Sequence, residues 1–155
     1  MQTYEFRCRR CCSAITVPVV ELTRPDLLSG VEQEEAIPRG HFAINTGKPE
    51  DLLGFLGHWI ANLEDLTNTK PHWNLRRSVG CCGPSGAHGL NTVCPKGHPI
   101  GTVFADCYMS HFVDLDPDRV DLVTPDTPHE TWIARIARRF FPFSNDPDLQ
   151  RPTTP

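Results

Sequence analysis

The sequence predicts an α+β fold in which a small antiparallel β-sheet is covered by two amphipathic helices. Short alternating or β-branched runs recur between turn signals, and two segments carry apolar side chains at a helical period. Pro (15) and Gly (11) interrupt the 155 residues too often for long helices, which excludes a helical bundle. A chain of 155 residues has the size of one domain and can bury roughly two-thirds of its unfolded surface. Residues 1–143 are expected to form that domain, with 144–155 as a frayed tail.

Each element has its own warrant. Tyr4 and Phe6 alternate with Glu5 and Arg7, and the stretch from Ile15 to Val20 is β-branched, so two strands should flank the thiol-rich turn from Cys8 to Ser13 like a hairpin. Pro18 has no ladder donor and places the second strand at an edge or ends its pairing. Residues 23–40 read as a polar connection, and His41 to Asn45 as a short strand entering the turn at Thr46 and Gly47. Leu52, Leu53, Leu56, Trp59, Ile60 and Leu63 follow a helical period behind Pro49, Glu50 and Asp51, which predicts a helix over 49–64. Gly54 and Gly57 each cost about 1 kcal/mol inside such a helix, so a shorter helix followed by a turn is the alternative.

Residues 67–92 have little periodicity, and Gly80 to Gly86 must be a loop. Ile100 to Met109, His111 to Leu115 and Val120 to Val123 predict three strands of one antiparallel sheet. Thr127-Pro128-His129-Glu130 is a capping box that opens a helix over 128–141. Its buried stripe would be Trp132, Ile133, Ile136, Ala137 and Phe140, with Arg135, Arg138 and Arg139 at the negative end of its dipole.

Charge and hydropathy narrow the function classes. Fifteen Lys plus Arg against 19 Asp plus Glu give a net charge of -4, which disfavours a dedicated nucleic-acid binder. No apolar run approaches the ~20 residues of a membrane span, and Met1 to Arg7 lack an apolar signal core. The expectation is a cytoplasmic protein that meets a protein partner rather than a membrane or nucleic acid.

Cysteine supplies the strongest chemical signal. Seven cysteines are an odd number, and without a secretion signal a disulfide framework is not expected. Cys8 and Cys11 have the two-residue spacing that lets a tight turn aim both sulfurs at one tetrahedral zinc ion, at about 2.3 Å each. The second half must come from a distant turn, and Cys94-Pro95-Lys96-Gly97-His98 carries a thiolate and an imidazole between two strand-like segments. The candidate ligands are therefore Cys8, Cys11, Cys94 and His98. Cys82 is the rival fourth ligand, because Gly83 lets its loop aim the sulfur widely. Only one of two adjacent cysteines is expected to face a given centre, in Cys11–Cys12 and in Cys81–Cys82 alike. Arg9, Arg10 and Lys96 lie where they could offset thiolate charge. Without a metal, the same residues would be buried free thiols packing as small hydrophobes. Four protein ligands would make the ion a fold clamp, since catalytic zinc keeps a position for water.

These two turns resemble those of zinc-ribbon proteins, whose knuckles read Cys-Pro-x-Cys-Gly-His. Cys94, Pro95, Gly97 and His98 fit, while the second knuckle cysteine is absent and the turn is one residue shorter. The likeness covers about a dozen residues and implies a zinc-ribbon-like sheet around a structural zinc. Gly80-Cys81-Cys82-Gly83, with Asn91, Cys94 and Asp106-Cys107, also resembles a group of small uncharacterised bacterial proteins with an N-terminal Cys-x-x-Cys.

Two nucleophile arrangements compete. Cys107 and His111, beside Asp106, would lie about 13 Å apart on one face of a continuous strand, beyond a direct hydrogen bond, so a core-facing Cys107 is the plainer expectation. Cys81 and Cys82 sit among glycine amides that could receive an oxyanion, with His88 near in sequence. His58, His72 and His129 read as surface or capping residues, and the arginines of the second helix, with Arg76 and Arg77, as ordinary solvated charge. The resulting expectation is a zinc-binding protein whose structural zinc supports a binding or interaction module. The alternative is a cysteine-dependent enzyme or thiol redox protein using Cys81, Cys82 or Cys107.

Overall fold

Alternation along short strands builds the architecture of the described residues, and no long helix covers it among them. The computed structural model describes residues 2–24, 27–47 and 54–125. Within them run β1 (Glu5–Cys8), β2 (Val20–Glu21), β3 (His41–Ile44), β4 (Trp59–Ala61), β5 (Lys70–Pro71), β6 (Thr92–Val93), β7 (Pro99–Phe104), β8 (Phe112–Leu115) and β9 (Val120–Val123). Seven strands form one sheet in the order β2-β3-β4-β8-β7-β6-β5, and β1 pairs with β9 in a separate ribbon. All neighbours are antiparallel except β2 and β3.

The large sheet is covered on both faces, as its side-chain period of two shows. Phe42, Ala61, Val113 and Leu115 point to one core, whereas their neighbours Ala43, Ile60 and Phe112 point to another with Ala36 and Ile37. The β1–β9 ribbon lies over the first core. Phe6 is fully buried there and meets Phe42 edge-on at 5.3 Å and Trp59 at 5.4 Å, while Glu5 and Arg7 on the opposite face pair with each other. Cys8 and Cys94 belong to this same buried cluster, so the thiols are part of the core wall.

The α+β expectation is thus corrected to a predominantly β fold, since no helix among the described residues reaches seven residues. The helix predicted over 49–64 fails where it can be seen. Gly54 and Gly57 adopt left-handed φ values of 72° and 78°, and residues 59–61 enter the sheet as β4 between β3 and β8. The turn is fastened to the sheet, because the Phe55 amide donates to the buried Asp114 carboxylate at 2.6 Å and His58 Nδ1 bonds the same group. The breakers and the aromatic and β-branched pair Trp59-Ile60 outweigh a helical period that buries less. The helix expected over 128–141, and the tail at 144–155, lie outside the described residues.

Most strand expectations find a counterpart, with two differences. The residues around the first thiol turn do pair like a hairpin, with Ile15 donating to Phe6 and a bridge between Tyr4 and Val19, but regular pairing is interrupted around Pro18. Residues 120–123 pair with β1 rather than joining β7 and β8. This pairing carries β1, and the thiols at its end, onto the face of the large sheet.

Candidate metal centre

Two turns distant in sequence are aimed at each other by the sheets that carry them. Cys8 ends β1, and its turn closes through Cys12 N to Cys8 O at 2.7 Å and Cys8 N to Ser13 O at 2.9 Å, with Cys12 left-handed at φ 58°. The second turn joins β6 to β7. It closes through Gly97 N to Cys94 O at 2.8 Å and Cys94 N to His98 O at 2.9 Å, and Gly97 supplies the left-handed φ of 82°. Both turns therefore reverse the chain while directing two side chains to one side, as a metal knuckle requires.

Cys8, Cys11, Cys94 and His98 come together with their donor atoms all within 4.8 Å of one another. His98 Nδ1 lies 3.6 Å from Cys8 Sγ and 3.5 Å from Cys94 Sγ, and Cys11 Sγ lies 3.6 Å from Cys94 Sγ. A tetrahedron with zinc–sulfur bonds of about 2.3 Å and a zinc–nitrogen bond of about 2.0 Å has edges of about 3.8 Å between sulfurs and about 3.6 Å between sulfur and nitrogen. The observed separations match those edges, so this group could hold a metal ion. Cys8 and Cys94 are buried, and Cys11 and His98 are half-buried.

The thiols do not titrate alike. Burial pushes the Cys8 thiol up to about 12, with further upward contributions from hydrogen bonding to Cys11 and Cys94. Burial acts upward on Cys11 too, but hydrogen bonding with the Ser13 hydroxyl and backbone, His98 and Cys8 outweighs it and brings the thiol down to about 6. Of the cations expected to offset thiolate charge, Arg9 makes a 3.0 Å ion pair with Asp121, while Arg10 and Lys96 are exposed.

Cys82 is not in this group. It lies with Cys81 and Cys107 in a second set of three sulfurs, again within 4.8 Å of one another, with Cys81 and Cys82 exposed and Cys107 half-buried. This corrects the expectation that only one of the adjacent pair would face a given centre. In the first turn the expectation agrees with the arrangement, because Cys11 joins the four donors and Cys12 does not. Cys107 also departs from the core-facing strand position expected of it, because β7 ends at Phe104 and Cys107 occupies the turn before β8.

Asp106 organises the second set and carries no obvious sequence signal beyond an acid next to a cysteine. Its buried carboxylate accepts from Cys81 N at 2.8 Å, Cys82 N at 2.9 Å and Cys107 N at 2.8 Å. Those bonds, led by that from Cys82, hold its carboxyl below the ordinary range against the opposing effect of burial. The Cys107 thiol is pushed up to about 12, first by its hydrogen bond with Cys82, then by burial and by Asp106 and Cys81.

The remaining histidines occupy separate places. His58 is half-buried against Asp114 rather than a surface residue, and His72 is buried, accepts from Asn74 N and stacks on Trp73 at 3.7 Å. Arg77 donates to Leu90 O. His129, Arg135, Arg138 and Arg139 lie outside the described residues. No helix among the described residues is long and apolar enough to cross a membrane. No family model, curated protein or solved structure matches the chain.

Proposed function

We propose that this is a zinc-binding protein in which one structural zinc, held by Cys8, Cys11, Cys94 and His98, supports a binding or interaction module. The observation that carries the reading is the gathering of four donor atoms within 4.8 Å of one another, three of their separations at 3.5–3.6 Å and so at tetrahedral edge length, on turns more than eighty residues apart in sequence. Zinc suits this donor set of three thiolates and one imidazole better than calcium or magnesium, which take oxygen ligands. Four protein donors leave no position for substrate, so the ion's work is to tie the β1–β9 ribbon to the β6–β7 turn of the large sheet. An interaction role draws support from the stretch 73–79, where Trp73, Leu75 and Val79 expose large apolar side chains beside Arg76 and Arg77. The partner would be another protein, in keeping with the mild net charge of -4.

A thiol enzyme is the second reading, favoured by the exposed sulfurs of Cys81 and Cys82. Against it, Cys107 is held as a thiol to about 12, and the group of three contains no histidine to act as a base. Iodoacetamide labelling at neutral pH separates the two, since a nucleophile would react rapidly at one position.

The test of the main reading is elemental analysis of protein purified without chelator, together with thermal unfolding. Bound zinc whose removal lowers the unfolding temperature is expected. A zinc content near zero in a folded, reduced protein would reject the reading.

A further inference from the structure

The three outer sulfurs are held in place by more than sequence neighbourhood. Consecutive side chains on an extended chain point apart, yet Cys81 and Cys82 bring their sulfurs into one group with Cys107. The cause is Asp106, whose two carboxylate oxygens accept the amides of both residues and of Cys107, so that one buried anion fixes the backbone of all three. The glycines on either side permit this closeness. A Cβ on Gly80 would stand 1.9 Å from Gly83 O, and one on Gly83 would stand 2.3 Å from Ala105 O. A further bond from Ala105 N to Pro84 O at 2.8 Å fastens the loop to the end of β7. The result is a preformed set of three soft donors, pinned from below and accessible from solvent through the exposed Cys81 and Cys82.

We propose that Cys81, Cys82 and Cys107 form a second, open metal site that takes a thiophilic divalent cation, zinc or cadmium, on three thiolates and leaves the fourth position to an exogenous ligand. The divalent charge favours such an ion over a monovalent one, because three thiolates then leave a net charge of -1 rather than -2 next to the Asp106 carboxylate. Binding displaces one proton from each thiol to solvent, and no oxidant or reductant takes part. The three donors leave the ion incompletely wrapped, so it should exchange readily and accept a small ligand such as imidazole or a free thiol, unlike an ion enclosed by four protein donors.

The test titrates the full chain, reduced and without oxygen, with cadmium while following thiolate-to-metal absorption, in wild type, Cys107→Ser and Cys81→Ser. Each variant should take up one equivalent fewer than wild type while unfolding within a few degrees of it. Cys81 is exposed, so its replacement disturbs no packing and guards against a Cys107→Ser variant that fails to fold. Wild-type stoichiometry in Cys81→Ser would overturn the site. If the four-donor reading is wrong and this one is right, wild type binds a single equivalent that Cys81→Ser abolishes, so the two failures are distinguishable. With cobalt in place of cadmium, imidazole should shift the part of the visible spectrum that Cys81→Ser removes, and an unchanged spectrum would overturn the open position.

Discussion

The two donor groups of this chain share a count of three sulfurs, to which the first adds the His98 imidazole, and they differ in almost everything that surrounds them. Cys8 and Cys94 sit in the wall of the main core with Cys11 packed against it and the half-buried His98 beside them, on turns belonging to two separate sheets. Cys81 and Cys82 are exposed and Cys107 half-buried, on two adjoining loops that a buried carboxylate already holds together. An ion at the first group would close long loops and stabilise the fold, because its donors are brought together only by folding. The second group has its scaffold in Asp106, so an ion there would add little to stability. Burial and the sequence distance between donors, rather than the number of sulfurs, therefore separate a clamp from an exchangeable site.

The contrast can be broken most directly at Cys94. Cys94→Ser should release the ion of the first group and destabilise the protein by several kcal/mol, which for a domain of this size lowers the unfolding temperature by about 10 °C or more. The equivalent exchange at Cys81 should change it by no more than a few degrees, and differential scanning calorimetry of both variants is the comparison.

Phe6→Ala asks whether the first group depends on the core behind it. Phe6 is fully buried two residues before Cys8 and packs on Phe42 and Trp59, so truncation should cost about 3–5 kcal/mol. Denaturant unfolding would show that loss. Zinc affinity should fall at the four-donor group and stay unchanged at the outer one.

Asp106 sharpens the other side. Its carboxyl is held low, first by the Cys82 amide and also by those of Cys81 and Cys107. A carboxyl with a lowered folded pKa stabilises the folded state above its unfolded value of about 4, and that contribution is lost as the pH falls through the folded value. Amide exchange at Cys81, Cys82 and Cys107 should therefore accelerate, relative to the β7–β8 amides, on going from about pH 5 to about pH 3. Asp106→Ala should produce the same local loosening at neutral pH.

The smallest effect is expected at Gly97, whose φ of 82° is left-handed with nothing within 4 Å of where a Cβ would stand. Gly97→Ala should cost about 1 kcal/mol from backbone strain alone, measurable by chemical denaturation, and leave zinc stoichiometry unchanged.

What the sequence made legible follows from the range of the forces involved. The Cys8–Cys11 spacing, the Cys94–His98 turn and the alternation of β1 are short-range patterns, and the structure brings all four of those donors to one place. That Cys82 stands apart from them follows from where the loop at 80–83 goes, which is fixed by Asp106, twenty-four residues from Cys82. No local pattern announces such a bond. The apolar period of 49–64 is helical, while the large sheet offers Trp59, Ile60 and Ala61 pairing with β3 and β8 and burial on both faces. The pairing of β9 with β1 was likewise hidden, because it joins residues more than a hundred positions apart.

The central claim, that the four-donor group holds a zinc ion on which the fold depends, is tested most directly in a chain whose outer thiols are removed. In the Cys81→Ser, Cys82→Ser, Cys107→Ser triple variant, zinc per chain and the unfolding temperature would be measured before and after stripping with a strong chelator. One zinc per chain and a large drop in unfolding temperature on stripping are predicted. A folded triple variant that carries no zinc, or one that unfolds at the same temperature with and without it, would contradict the claim.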